Sequence, residues 1–186
     1  MIDYRASSLL VRGDLLEAHR RIWQHLGTPG TWWTSERRVA IAGETRNAPS
    51  CSLCERRRAA LSPYGLEGSH DSLGDLPNQV VEVVHRVVTD PGRIAGHWVE
   101  GLLEQGTTDC EYVETVGVTV ATLVVDTFTR AIGCDLHVLP EARLGELRDP
   151  ERHPEQFKDS PLGRIPRGWE VGRLGDFVVH RRTPLL

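Results

Sequence analysis

The segment from Thr108 to Gly133 is the strongest constraint on the fold. Thr108-Asp109-Cys110-Glu111 has the pattern of a capping box, with Glu111 three residues after Thr108, so a helix should start there. The helix should run to about Ile132 and stop at Gly133. From Val116 to Val125 it is apolar nearly all round, as a helix at the centre of a helical domain would be. Its β-branched residues favour a strand on propensity alone. The start signal, the length beyond an ordinary strand and the lack of clean alternation favour a helix. Asp126 near its end should be at least partly buried, and a buried carboxylate needs partners. Thr127, Arg130 or a neighbouring subunit are the expected sources.

The same reasoning gives five more helices. The first spans about Ser8 to Leu26, with apolar residues at helical spacing and Gly27 as its stop. The second spans about Ser35 to Arg46, with Thr34 and Ser35 as candidate caps. Pro49 should break the chain before a short third helix from about Ser50 to Leu61. A loop rich in Gly, Ser and Asp then leads to Leu76-Pro77, where a valine-rich fourth helix begins. Asp90-Pro91 should start the fifth, which ends at Gly106. The expected fold class is therefore all-α. Residues 1–134 should form the helical domain. Residues 135–186, rich in Pro, Arg, Gly and charge, should form an extended tail that wraps the body or a partner subunit. Val178 and Val179 within it read as a short strand.

Composition narrows the function. The chain has 186 residues, 39% of them apolar and 26% charged, which suits a globular domain with a proper core. A formal net charge of -4 gives no general basic face for nucleic acid. The run Arg56-Arg57-Arg58 reads as a solvated helix face. No charge-free stretch reaches membrane-spanning length. Met1 to Ser7 lacks the apolar core of a signal peptide. The expected location is cytoplasmic, where thiols are mostly reduced.

In that setting Cys51-Ser52-Leu53-Cys54 carries the chemistry. The chain has four cysteines, Cys51, Cys54, Cys110 and Cys134, too few for a disulfide scaffold of this length. A CxxC pair at a helix start sits where the positive end of the macrodipole favours the thiolate, the reactive form. The competing interpretation is packing, since a free cysteine behaves as a small buried hydrophobe.

Several segments carry a resemblance. They are Glu36-Arg37-Arg38-Val39-Ala40-Ile41-Ala42, the CxxC pair, Ala59-Ala60-Leu61, the span Val84 to Pro91 and the late segment Tyr112 to Gly133. In this order they resemble the alkylhydroperoxidase D-like branch of the carboxymuconolactone decarboxylase family, over roughly residues 34–134. The resemblance is to a subgroup of alkylhydroperoxidase-related proteins, some of which carry selenocysteine at the redox motif. It implies an alkylhydroperoxidase D-like helical bundle, a homo-oligomer and a peroxidase without a cofactor. It implies that a hydroperoxide oxidises one cysteine to a sulfenic acid, the second cysteine closes a disulfide, and an external dithiol resets the pair. It assigns the peroxide-reactive role to Cys54 and the resolving role to Cys51. Helix-dipole logic alone favours Cys51, which lies nearer the helix start.

The chain departs from the family pattern at two positions. The histidine usual four residues after the second cysteine is Arg58 here, and the glutamate usual twelve residues before the first is Val39. Substitutes follow from chemistry. Glu44, seven residues before Cys51, could reach the thiols from the preceding helix. Arg58 could stabilise a thiolate by charge. His85, on an otherwise apolar helix, could act as the base. Each has a structural alternative: Glu44 solvated, Arg58 paired with Glu55 or Glu44, His85 a hydrogen-bonded core residue. His137 is a weaker candidate, and Trp32 and Trp98 read as core or interface residues.

Two other functions compete. A zinc or redox-sensing module would take Cys51 and Cys54 as two of four ligands, but Cys110 and Cys134 are the only other thiols and form no second close pair. A decarboxylase- or lyase-like enzyme on the same fold would leave the cysteines incidental. A thioredoxin-like protein fits poorly, because no βαβ pattern surrounds the pair.

Overall fold

The computed structural model describes residues 2–148, 154–160 and 163–166. The chain forms two compact units, Met1–Leu147 and Arg148–Leu186.

The first unit is helical: α1 (Gly13–Leu26), α2 (Ser35–Asn47), α3 (Ser52–Ala59), α4 (Asn78–Thr89), α5 (Gly96–Glu104) and α6 (Asp109–Ala131). α1 starts later than expected, at Gly13, and Leu9 before it is exposed. Pro49 lies in a 3-10 turn, Ala48–Ser50, between α2 and α3. Another 3-10 turn, Pro91–Arg93, precedes α5. The capping box at Thr108 is present in full.

α6 packs on α2 and α4. The core joins Ile2, Trp23 and Leu26 to Ile41, Val84, Val118 and Val125. The face that α6 buries mixes threonines with Val118 and Val125. Thr115, Thr119, Thr122 and Thr129 are buried there, while Val113, Val120 and Val124 are exposed. Each buried threonine hydroxyl donates to the carbonyl four residues back. That bond satisfies the hydroxyl within the helix and leaves the methyl group to pack.

Asp126 is buried as expected, but its partner is Arg46 of α2. The guanidinium donates to both carboxylate oxygens at 2.7 and 2.8 Å. Arg46 also donates to the His137 carbonyl. A second pin joins α6 to the turn before α2. The Glu114 carboxylate accepts from the backbone N–H groups of Thr31 and Trp32 at 3.1 and 2.7 Å and from Arg38 at 2.8 Å. A Cβ at Gly30 would overlap the Glu114 carboxylate and the Arg38 guanidinium, so any larger residue there would displace this pair.

Residues 135–147 belong to this unit and carry no regular structure. They run along α1 and α2 of their own chain. Trp23 donates to the Val138 carbonyl, Ser35 to that of Arg143, and the Arg143 N–H to the Gly27 carbonyl.

In the second unit, β1 (Phe157–Ser160) and β2 (Gly163–Pro166) form an antiparallel hairpin, with Phe157 opposite Pro166 and Ser160 opposite Gly163. This hairpin has no counterpart in the sequence reading. Val178 and Val179 lie outside the described residues. Among the described residues, no helix is long and apolar enough to cross a membrane.

Candidate functional site: a dithiol between two histidine–carboxylate pairs

The break at Pro49 ends α2 and turns the chain so that Cys51, in extended conformation, becomes the N-cap of α3. Cys51, Leu53 and Cys54 are buried while Ser52 is exposed. Both thiols thus face inward from the first turn of a helix whose exposed side carries Arg56 and Arg58. The cap on α3 comes from the following loop: Asp71 accepts from the Ser52 N–H at 2.7 Å. The Asp71 N–H in turn points at Cys51 Sγ, 3.5 Å away.

Two imidazoles meet these thiols. His85 of α4 places Nδ1 3.3 Å from Cys54 Sγ. Its Nε2 donates to Glu44 Oε1 of α2 at 2.7 Å. His85 and Glu44 are fully buried. Glu44 is further fixed by Asn47 at 2.9 Å and by the Leu73 N–H at 3.0 Å. His70, on the loop before α4, places Nδ1 3.4 Å from Cys51 Sγ and 3.5 Å from Cys54 Sγ. Its Nε2 donates to Glu82 Oε2 at 2.7 Å. Arg57 holds Glu82 at 2.8 Å, and Trp98 donates to its other oxygen at 3.3 Å. The two imidazole rings lie 4.2 Å apart, centroid to centroid.

The electrostatics follow from this arrangement. Burial pushes the Cys54 thiol up, but hydrogen bonds with His70 and His85 outweigh it and bring the thiol down to about 5. Cys51 is also lowered. Burial opposes the shift, and the N–H groups of Cys54 and Asp71 and the His70 ring drive it. Burial disfavours the charged form of His70, yet its bonds to Cys54, Glu82 and Cys51 raise it to about 10. Glu82 is held at about 2 against burial by His70 and Arg57. Glu44 is likewise lowered, with burial opposed by His85, Asn47 and the Leu73 N–H. At neutral pH the centre is a thiolate–imidazolium arrangement backed by two carboxylates, the form in which a cysteine is nucleophilic.

A cleft of about 570 Å³ opens beside this centre. His70 and Glu82 are in its wall together with Arg57, Tyr64, Arg86 and Trp98. His70 therefore touches both the buried thiols and the open cleft. Trp98, expected as a core or interface residue, packs against the core cluster of Val83, Val87 and Leu102 and also forms part of this wall.

Of the residues expected from sequence, Cys51, Cys54, Glu44 and His85 come together. Arg58 does not join them. It is exposed on α3, and the neighbouring Arg57 turns inward to Glu82. One helical position is about 100° of rotation, enough to move a side chain from the inner face to solvent. His137 lies against the Tyr4 ring. Cys110 and Cys134 do not join the cluster of Cys51, Cys54, His70 and His85. His70, Glu82 and Asp71 were missed. Glu82 left a signal, an acid one turn before His85 on a valine-rich helix. His70 and Asp71 lie in a loop without periodicity, and nothing local marks them.

No protein-family model, curated protein or solved structure matches the chain.

Proposed function

We propose that the protein is a thiol-dependent peroxidase in which Cys54 attacks a hydroperoxide and Cys51 resolves the product. The observation that carries this reading is the buried Cys54–His85–Glu44 series, with contacts of 3.3 and 2.7 Å. Glu44 fixes His85 with Nε2 protonated, so Nδ1 is the atom that exchanges a proton with the thiol. The Cys54 thiolate attacks the terminal peroxide oxygen and the O–O bond breaks. The leaving alkoxide takes a proton from an imidazolium, giving an alcohol and a sulfenic acid. The Cys51 thiolate attacks the Cys54 sulfur, and hydroxide leaves as water with a second proton. An external dithiol then reduces the disulfide and is itself oxidised.

Several features support this order of roles. Cys54 touches both histidines, at 3.5 Å from His70 and 3.3 Å from His85, whereas Cys51 meets His70 at 3.4 Å. The Cys51 and Cys54 sulfurs lie within 4.8 Å of each other, so disulfide closure needs only local movement. The cleft beside His70 offers a route for a hydroperoxide and for the reductant. The resemblance to alkylhydroperoxidase D-like proteins points to the same chemistry and to a homo-oligomer, for which the exposed valines of α6 are a candidate contact.

The test is thiol counting on the reduced, metal-free protein before and after one equivalent of hydroperoxide, with mass mapping of the product. Rapid loss of two thiols with Cys51 joined to Cys54 is expected. Thiols that persist would reject the peroxidase reading.

A further inference from the structure

Cys51, Cys54, His70 and His85 present one donor atom each, and the four atoms lie within 4.8 Å of one another. The three sulfur–nitrogen contacts among them measure 3.4, 3.5 and 3.3 Å. Around tetrahedral zinc, with Zn–S about 2.3 Å and Zn–N about 2.0–2.1 Å, a sulfur and a nitrogen ligand stand about 3.6 Å apart. The spacing is therefore close to that of a tetrahedral edge.

The orientation of the rings is the second, independent observation. Both histidines turn Nδ1 toward the sulfurs and give Nε2 to a carboxylate, His70 to Glu82 and His85 to Glu44, each at 2.7 Å. Metal-bound histidines are held in this way, with the outer nitrogen donating to an acid that fixes the ring and raises its basicity. A hydrogen-bonded core histidine needs no such shared focus. The ligands also come from separate elements: two from the start of α3, one from the loop before α4 and one from α4 itself.

We infer that these four side chains form a Cys2His2 site for one Zn²⁺, available only in the dithiol state. Two thiolates neutralise the ion, and the protein fills all four positions. Such a closed site leaves no place for an activated water. The ion would therefore shield the dithiol and tie the His70 loop to α3 and α4. Oxidation releases it. A hydroperoxide and two protons convert the zinc-bound dithiolate to the disulfide, an alcohol, water and free Zn²⁺. The O–O bond is reduced by the two electrons that the sulfurs lose. The site stands on the donor geometry and does not depend on turnover. Its redox release rests on the peroxidase reading.

The experiment uses the full chain, reduced and stripped of metal with a chelator. Co²⁺ is titrated as a spectroscopic probe, then displaced by Zn²⁺ against a chromophoric competitor. One ion per chain is expected, with tetrahedral d–d bands and sulfur-to-cobalt charge transfer. His70 is on a loop and forms a cleft wall, so His70→Asn should fold. It should weaken zinc binding at least 10-fold, the lower end of what losing even an outer partner costs. Glu82→Gln, which keeps all four ligands, should weaken it about 10–100-fold. The protein carrying the Cys51–Cys54 disulfide should not bind. An octahedral or absent cobalt spectrum, or affinity unchanged in His70→Asn, would overturn the site. Undiminished binding to the disulfide form would do the same. Failure of the peroxide assay leaves the cobalt spectrum as a separate readout, and failure of the cobalt titration leaves thiol loss to peroxide intact.

Discussion

Glu44 of α2 and His85 of α4, both fully buried, share a 2.7 Å hydrogen bond that aims the opposite ring nitrogen at Cys54. A buried carboxylate without partners would be costly, and here it is matched by His85, Asn47 and the Leu73 N–H. The packing of α2 on α4 is thereby coupled to the state of the thiol.

His85→Asn should lower the rate of hydroperoxide-dependent thiol oxidation by about 10²–10⁴-fold, the range of general acid–base assistance. Glu44→Gln keeps the shape but removes the charge behind the ring, so it should move the pH profile of Cys54 alkylation to higher pH. Stopped-flow kinetics with single-turnover peroxide would check the first, and iodoacetamide labelling the second. An unchanged rate in His85→Asn would remove His85 from the reaction.

The two cysteines should fail differently. Cys54→Ser should abolish consumption of hydroperoxide. Cys51→Ser should consume one equivalent and stop at a sulfenic acid that a dimedone probe labels at Cys54. Label at Cys51 in the Cys54→Ser protein, formed at the wild-type rate, would reverse the roles.

The pH dependence has a defined sign. Cys54 is lowered to about 5, so its thiolate persists above that pH and is lost as pH falls through it. His70 is raised to about 10, so the imidazolium persists below that pH and is lost as pH rises through it. Alkylation of Cys54 in the reduced, metal-free protein should therefore be flat between about 5 and about 10. The same groups enter stability. The contribution of charged His70 is full below its unfolded value of about 6.5 and fades as pH rises toward its folded value. A rate that climbs through the ordinary cysteine range near about 8.5 would contradict this environment.

Arg57 and Arg58 should separate cleanly. Arg57→Ala removes the 2.8 Å partner of Glu82 and should slow the reaction with peroxide through His70. Arg58→Ala should leave both rate and thiol titration unchanged, since that side chain is exposed. Equal effects of the two substitutions would refute the assignment.

Asp126→Ala leaves Arg46 without its bidentate partner in a mostly buried setting. Breaking such a pair costs about 3–5 kcal/mol. Chemical denaturation should show this loss, with the residual fold still helical by circular dichroism. A change below about 1 kcal/mol, typical of exposed pairs, would show that solvent screens the bond.

By itself the sequence determined the helical elements, because their signals are local. The Thr108 capping box, the Pro49 break and the helical spacing of apolar residues each act within a turn or two of chain. It also determined that Cys51 and Cys54 share the start of a helix, and it marked His85 as a polar group on an apolar helix and Glu44 as an acid spaced to reach the pair. What only the tertiary structure decided is the company these residues keep. His70 reaches the thiols from a loop whose path depends on Asp71, which accepts from Asn47 of α2 and Ser52 of α3, and on the Leu73 N–H, which donates to Glu44 of α2. Whether Arg57 or Arg58 faces inward depends on the rotation of a short helix against α4. Which face of α6 is buried was likewise hidden, since threonines that bond back to their own helix pack as apolar groups while exposed valines look like core. Local signals fix elements because they act over a few residues. The site joins groups up to 41 positions apart, and only packing brings those into contact.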